Sequence, residues 1–284
     1  MIQLANELFY ALPEMIQYPF MVRALLIGLS VSLCAALLGV SLVLKRYSMI
    51  GDGLSRVGFG SLAVATALGF APLLVSIPVV VLAAFLLLRI SENSRIKGDA
   101  AIALMSTSSL AIGVIVISVT SGMNTDVCNF MFGTILGTNI SDVYLSLLLC
   151  AGVLILFILF YNKIFAITFD ETFAAATGTN AGAYNSLIAM LTALTIVLGM
   201  RMMGALLISS LVIFPPLTSM RVCKSFRGVA LCAGGLSVIC FLVGLMLSYV
   251  VPRMPSGASV VAVNLALFVI ATLYETAKKR RNPA

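Results

Sequence analysis

Long uncharged runs recur along this chain, and no other feature constrains its fold as strongly. A helix rises about 1.5 Å per residue, so about 20 apolar residues cross a hydrocarbon core of about 30 Å. The first such run is Ala24–Leu44, ended by Lys45 and Arg46. Val57–Leu88 is too long for one crossing and is interrupted at Gly69-Phe70-Ala71-Pro72, so it reads as two spans, the earlier beginning near Asp52. Ala100–Met123, Val143–Tyr161, Ala183–Leu198, Met203–Met220, Val229–Val250 and a shorter Val260–Tyr274 follow. The expected fold class is an all-α membrane protein with about nine transmembrane helices, or eight.

Composition agrees. The chain is 61% hydrophobic and 10% charged, whereas soluble domains run near 45–50% and about 25%. The net charge of +7 does not mark a nucleic-acid binder, because the basic residues sit in short clusters between apolar runs rather than on an aromatic-interleaved face. Such clusters record orientation. With the N-terminus outside, thirteen basic residues fall inside: Lys45, Arg46, Arg89, Arg95, Lys97, Lys163, Arg221, Lys224, Arg227 and the run from Lys278 to Arg281. Only Arg23, Arg201 and Arg253 fall outside, with Arg56 left ambiguous. The expected topology is therefore N-terminus out and C-terminus cytoplasmic.

No Gly/Ser-rich linker or soluble-sized polar stretch interrupts residues 1–284, which read as a single transmembrane domain. Residues 1–23, carrying Leu8, Phe9, Leu12, Tyr18 and Phe20, are expected along the outer interface, and residues 275–284 as a basic cytoplasmic tail. The first charges are Glu7 and Glu14, so the N-terminus does not read as a cleaved signal peptide.

Histidine is absent, which excludes imidazole base, nucleophile or ligand chemistry. The cysteines Cys34, Cys128, Cys150, Cys223, Cys232 and Cys240 show no C-x-x-C spacing and read as small hydrophobes. There is no G-x-x-x-x-G-K-[ST] phosphate loop, so any ATP that drives this chain binds to another one. An enzyme is not expected, and neither is a permanently bound cofactor.

Four segments depart from plain apolar filler. In Ser48–Gly58, Asp52 and Arg56 stand four residues apart and share a helix face. Ionisable residues at membrane depth are costly; the pair reads either as part of a transport path or as a structural ion pair at the inner interface. Phe169–Gly178 places Asp170 and Glu171 early and Gly178 at the end, the pattern of a short helix exposed between spans. It reads as a docking element or as an ordinary connector. Gly199–Pro216 carries Gly204, Ser209 and Ser210 ahead of adjacent prolines; Pro215 and Pro216 break the hydrogen-bond ladder and free carbonyls, so Ser209 and Pro215 are candidate pathway residues beside the alternative of a bare kink. Pro255–Ser259 reads as a tight outer turn.

In this order, Leu44-Lys45-Arg46-Tyr47-Ser48-Met49-Ile50-Gly51-Asp52-Gly53-Leu54-Ser55, Phe169-Asp170-Glu171-Thr172-Phe173-Ala174 through Gly178, Met203-Gly204-Ala205-Leu206-Leu207 through Pro215, and Pro255-Ser256-Gly257-Ala258 make the chain resemble the integral-membrane permeases of zinc, manganese and iron ABC importers. The resemblance covers nearly the whole chain. It implies a fold like the vitamin-B12 importer permease, a second copy of the chain, two cytoplasmic ABC ATPases and an extracytoplasmic metal-binding protein. It also implies that a divalent metal is the transported substrate, that Asp52 contacts it, and that Asp170, Glu171, Phe173, Ala174 and Gly178 belong to a coupling helix seated on the ATPase.

At one position the chain departs from that family. Four residues after Asp52 the family pattern has a histidine, and here stands Arg56. A guanidinium is a permanent cation with N–H donors and no lone pair to offer a metal. Losing an imidazole weakens a zinc site more than a manganese site. Transport through Asp52 and backbone carbonyls, an altered substrate and lost transport are all compatible with this substitution. The competing class is a secondary transporter driven by an ion gradient, for which paired broken helices are the usual sign. A Pro/Gly break occurs in the seventh span without a clear counterpart in the first half.

Overall fold

A computed structural model describes residues 17–93, 98–120, 133, 140–251 and 254–281. Residues 1–16 of the expected interfacial segment, Arg95, Lys97, Cys128, Arg253 and the last three residues of the expected tail lie outside the described residues.

Eleven helices are described: α1 (Pro19–Leu44), α2 (Met49–Ala67), α3 (Pro72–Asn93), α4 (Gly98–Thr120), α5 (Ile140–Leu159), α6 (Tyr161–Phe169), α7 (Glu171–Ala176), α8 (Ala181–Met203), α9 (Ala205–Val222), α10 (Phe226–Val250) and α11 (Ser256–Arg281). Seven of them are long and apolar enough to cross a membrane, and α5 with α6, bent by 68° at their break, make an eighth candidate. The ninth expected span is α2, a helix of 19 residues that is not apolar enough to be counted with them. Asp52, Arg56 and closely spaced glycines dilute its apolar character, and most of its residues are buried among neighbouring helices instead. A helix shielded by protein does not need an apolar surface all round.

Helix ends follow local chemistry. Pro19 opens α1 at a position whose missing N–H costs no hydrogen bond. The helix thus begins inside the segment expected to lie along the interface. At its other end Tyr47 N–H reaches Leu42 C=O at 2.8 Å and Arg46 N–H reaches Val43 C=O at 3.0 Å, with Arg46 left-handed at φ 63°. The expected break between the second and third spans is a turn at Gly69 followed by Pro72. The α5–α6 bend falls where the apolar run meets Tyr161-Asn162-Lys163. The basic residues expected as a separate tail instead continue α11 to Arg281.

The centre is formed by α1 and α8, the two most deeply buried spans, which pack against each other and against α9. In turn, α2 packs on α3, α4, α8 and α9, while α3, α4 and α11 turn most of their apolar surface outward. Such surfaces face lipid or another chain. The prolines in α9 leave a specific mark. Pro216 has no N–H, so Val212 C=O, four residues earlier, loses its intrahelical donor. That carbonyl packs against the backbone of Gly39 in α1, where a Cβ atom would lie 2.1 Å from its oxygen. Only a residue without a side chain lets the two helices approach this closely.

One end of the bundle gathers Lys45, Arg46, Lys163, Arg221, Lys224 and Arg227. It is held by Arg221 on Glu275 at 2.8 Å and by Phe226 of α10 against Tyr161, Phe165 and Phe169 of α6, with ring centroids 5.2–6.0 Å apart. Arg23 and Arg201 sit at the opposite helix ends.

Gly39→Ala is expected to lower the thermal stability of the detergent-solubilised chain by several degrees, because overpacking against backbone costs about 1–3 kcal/mol. Gly152→Ala, where a Cβ meets nothing within 4 Å, leaves it unchanged or slightly raised.

Candidate functional site

The first turns of α2 carry an ion pair in which both partners belong to the same helix. Arg56 Nε donates to Asp52 Oδ2 at 3.0 Å, the contact their four-residue spacing allows. Each side chain remains 37–40% exposed, so in water the pair would be worth only about 0.3–0.5 kcal/mol. At membrane depth the comparison is with an unpaired carboxylate, which is far more costly.

The pair lines a pocket of about 170 Å³, closed by Phe59 and Leu110 on one side and by Leu206 and Ser209 of α9 on the other. Of the sequence candidates, Asp52, Arg56 and Ser209 therefore meet in one place. Pro215 does not line this pocket; it is buried in the α9 packing, next to Phe214, whose ring stands 6.0 Å from Phe268 of α11. Ser209 Oγ donates to Leu206 C=O at 3.1 Å and Ser55 Oγ to Asp52 C=O at 2.8 Å, leaving hydroxyl lone pairs toward the pocket as neutral acceptors.

Chemically, this pocket offers one hard carboxylate and hydroxyl oxygens, the donor type that suits manganese better than zinc. Arg56 contributes no ligand and holds the carboxylate. Among the described residues no three carboxylate, thiol or imidazole groups cluster as a metal cage. The five described cysteines are free, and Cys34, Cys150 and Cys240 are buried as small hydrophobes.

The second candidate segment forms α7. Asp170 is its N-cap: Asp170 Oδ1 accepts from Phe173 N–H at 2.9 Å and from the Thr172 hydroxyl at 2.6 Å. These two donors, the hydroxyl first, hold the carboxyl below its ordinary range. The helix ends in a paired C-terminal motif, with Thr179 N–H on Ala174 C=O and Gly178 N–H on Ala175 C=O, both at 3.0 Å. It needs Gly178 at φ 82°. Ala174 is fully buried, whereas Phe173 is 65% exposed. The five residues grouped in sequence thus separate: Asp170 and Gly178 shape the helix, Ala174 seats it and Phe173 projects.

Glu171 is turned back into the protein. Glu171 Oε1 accepts from Asn185 Nδ2 at 2.8 Å, Asn185 Oδ1 accepts from Lys45 Nζ, and Lys45 lies 3.8 Å from Glu171 Oε2. This network joins the end of α1, the start of α7 and the first turn of α8. Sequence reasoning missed Lys45 and Asn185 as members of it. The only signal was a single amide in an apolar run, 140 residues from its lysine.

The chain's relatives fit this arrangement. The family described as the ABC 3 transport family matches residues 17–275. The manganese transport system membrane protein MntC of Halalkalibacterium halodurans is 26% identical over 95% of this chain and 92% of its own length. A probable iron transport system membrane protein of Haemophilus influenzae is 29% identical over 92% of this chain and 92% of its own. The solved structure of PsaBC from Streptococcus pneumoniae in complex with Fab superposes with a TM-score of 0.81 at 28% identity, covering 92% of this chain and 95% of that one.

Because the Asp170 carboxyl is lowered in the folded state, the charged cap contributes fully above the ordinary carboxylate pKa of about 3.9 and is lost as pH falls through the lowered value. Hydrogen-exchange protection factors over residues 171–178 are therefore expected to hold at neutral pH and drop in acid. Asp170→Ala removes them at every pH, and Asp170→Asn keeps them without the acid loss.

Proposed function

This chain belongs to the ABC 3 transport family, and from that premise we propose that it is the membrane-spanning permease subunit of an ATP-driven importer of divalent metal ions, manganese or iron foremost. The observation that carries this reading is the family match over residues 17–275, which takes in all the described spanning helices except the end of α11, together with relatives named for manganese and iron transport. Family membership does not favour an ion-gradient-driven mechanism.

In this reading residues 1–284 act as one permease domain in the cytoplasmic membrane. Two copies alternate between outward-open and inward-open states. ATP is hydrolysed on a separate pair of ABC ATPase subunits, consistent with the missing phosphate loop, and an extracytoplasmic protein delivers the ion. The basic end of the bundle faces the cytoplasm, which sets the N-terminus outside and the C-terminus inside. There α7 meets the ATPase. Phe173 is the contact side chain, and Glu171 passes movement to α1 and α8 through Asn185 and Lys45.

Asp52 is the carboxylate the ion meets, Ser209 a neutral oxygen beside it, and Pro215 a weak point at which α9 flexes. Arg56 is the chain's own cation at that carboxylate. An entering ion displaces it, so binding at this step is weak, and the oxygen-rich, imidazole-free surroundings favour manganese over zinc.

The assembled transporter in lipid nanodiscs tests this by metal-stimulated ATP hydrolysis across manganese, iron and zinc. Stimulation by manganese is expected, with Asp52→Asn reducing it about tenfold or more and Arg56→His lowering the metal concentration needed. Absence of stimulation by all three metals, with arginine or histidine at position 56, refutes the reading. Phe173→Glu is expected to abolish co-purification of the ATPase, and Phe85→Glu, on an exposed face of α3, to leave it intact.

A further inference from the structure

On the side of the bundle away from the Asp52 pocket, a groove of about 610 Å³ runs between α1, α5 and α10. Leu33, Leu37, Leu154 and Phe157 form its walls. Its floor is α10 at Gly234 and Gly235, and a Cβ built on Gly235 meets nothing within 4 Å, so the helix leaves the space open. From Arg227 to Gly235 the groove follows α10 for about 12 Å at 1.5 Å per residue. An apolar trough of this kind within a membrane-spanning bundle is filled by hydrocarbon rather than water.

One end has different chemistry. Tyr161, Asn162 and Arg227 line it where α6 bends away from α5. The Arg227 guanidinium lies 5.9 Å from the Tyr161 ring centroid and pairs with no carboxylate among the described residues. Lys224, exposed nearby, adds a second positive charge. The Tyr161 hydroxyl is buried without a hydrogen-bond partner, unlike most buried polar groups.

We propose that this groove binds an anionic glycerophospholipid, one acyl chain lying along α10 and the headgroup phosphate on Arg227, beside the exposed Asn162. Charge selects the occupant: a second copy seated symmetrically on this groove would bring the same cations against Arg227, whereas an anionic headgroup complements them. The acyl chain fits an apolar trough whose floor has no side chain at Gly234 and Gly235. This site requires only the membrane-spanning fold and does not depend on which ion is carried.

Native mass spectrometry of the full chain in detergent, titrated with phosphatidylglycerol or with phosphatidylcholine of the same acyl chains, tests it. The chain is expected to bind phosphatidylglycerol about fivefold more tightly. Arg227→Gln removes that preference and keeps residual binding of both lipids. Gly235→Leu, which enters open space and leaves the melting temperature unchanged, fills the trough and abolishes both. Equal binding of the two lipids by the unaltered chain overturns the proposal, as does Gly235→Leu binding both normally. If Gly235→Leu breaks a dimer on size exclusion without altering lipid binding, a second copy is the occupant and the proposal fails.

Discussion

In hydrocarbon, a polar group that loses its partner inside the protein finds no water to replace it. This constraint orders most of the structure. It makes the described membrane-crossing segments helical and confines the breaks to places where another group takes over. Pro216 frees Val212 C=O, and the bare backbone of Gly39 closes against that oxygen. Asp52, facing a pocket it shares with Ser55 and Ser209, is held by Arg56 one helical turn away. At the basic end the chain uses side chains for the same purpose: Asn185 bridges Lys45 and Glu171 across a half-buried gap.

Two of these devices serve the proposed transport cycle, one in coupling and one on the ion path, and they act differently. The Lys45–Asn185–Glu171 network is a strut, joining a short capped helix to the ends of two central spans. The projecting Phe173 at its tip and the rigid attachment at its root suit a lever pushed by another subunit. In the proposed reading, the Asp52–Arg56 pair acts as a plug made of the protein's own charge: where the resembled family pattern has a histidine, this chain has a competitor for the carboxylate. An ion arriving at Asp52 would then have to displace a tethered guanidinium 3.0 Å away, which makes the proposed site weak and favours oxygen-liking ions.

How much of this could be read beforehand depended on the range of the interaction involved. Hydropathy and turn residues placed most of the spanning helices, because span length and the signals at Gly69-Pro72 and Gly178 are local. At the two ends, the start of α1 at Pro19 and the run of α11 to Arg281 go beyond the expected Ala24 and Tyr274. The shared face of Asp52 and Arg56 and the cap at Asp170 are also local, three or four residues apart. The 68° bend at the end of α5 was not visible, since no proline or glycine marks the junction at Phe160. Nor was the partnership of Lys45 with Asn185, or the distance of Pro215 from the pocket, because both depend on how α1, α8 and α9 pack. Glu171 and Ala174 read as surface contacts in sequence, yet one is hydrogen-bonded inward and the other is buried.

The central claim is that this chain carries a divalent ion across the membrane only when an ATPase drives it. Its most direct test is uptake of radioactive manganese into proteoliposomes holding the chain with or without its ATPase subunits, with ATP supplied on the ATPase side and the delivery protein on the other. The account predicts accumulation that requires both subunits and ATP and is indifferent to proton or sodium gradients. Accumulation by the chain alone, driven by an ion gradient, would contradict it.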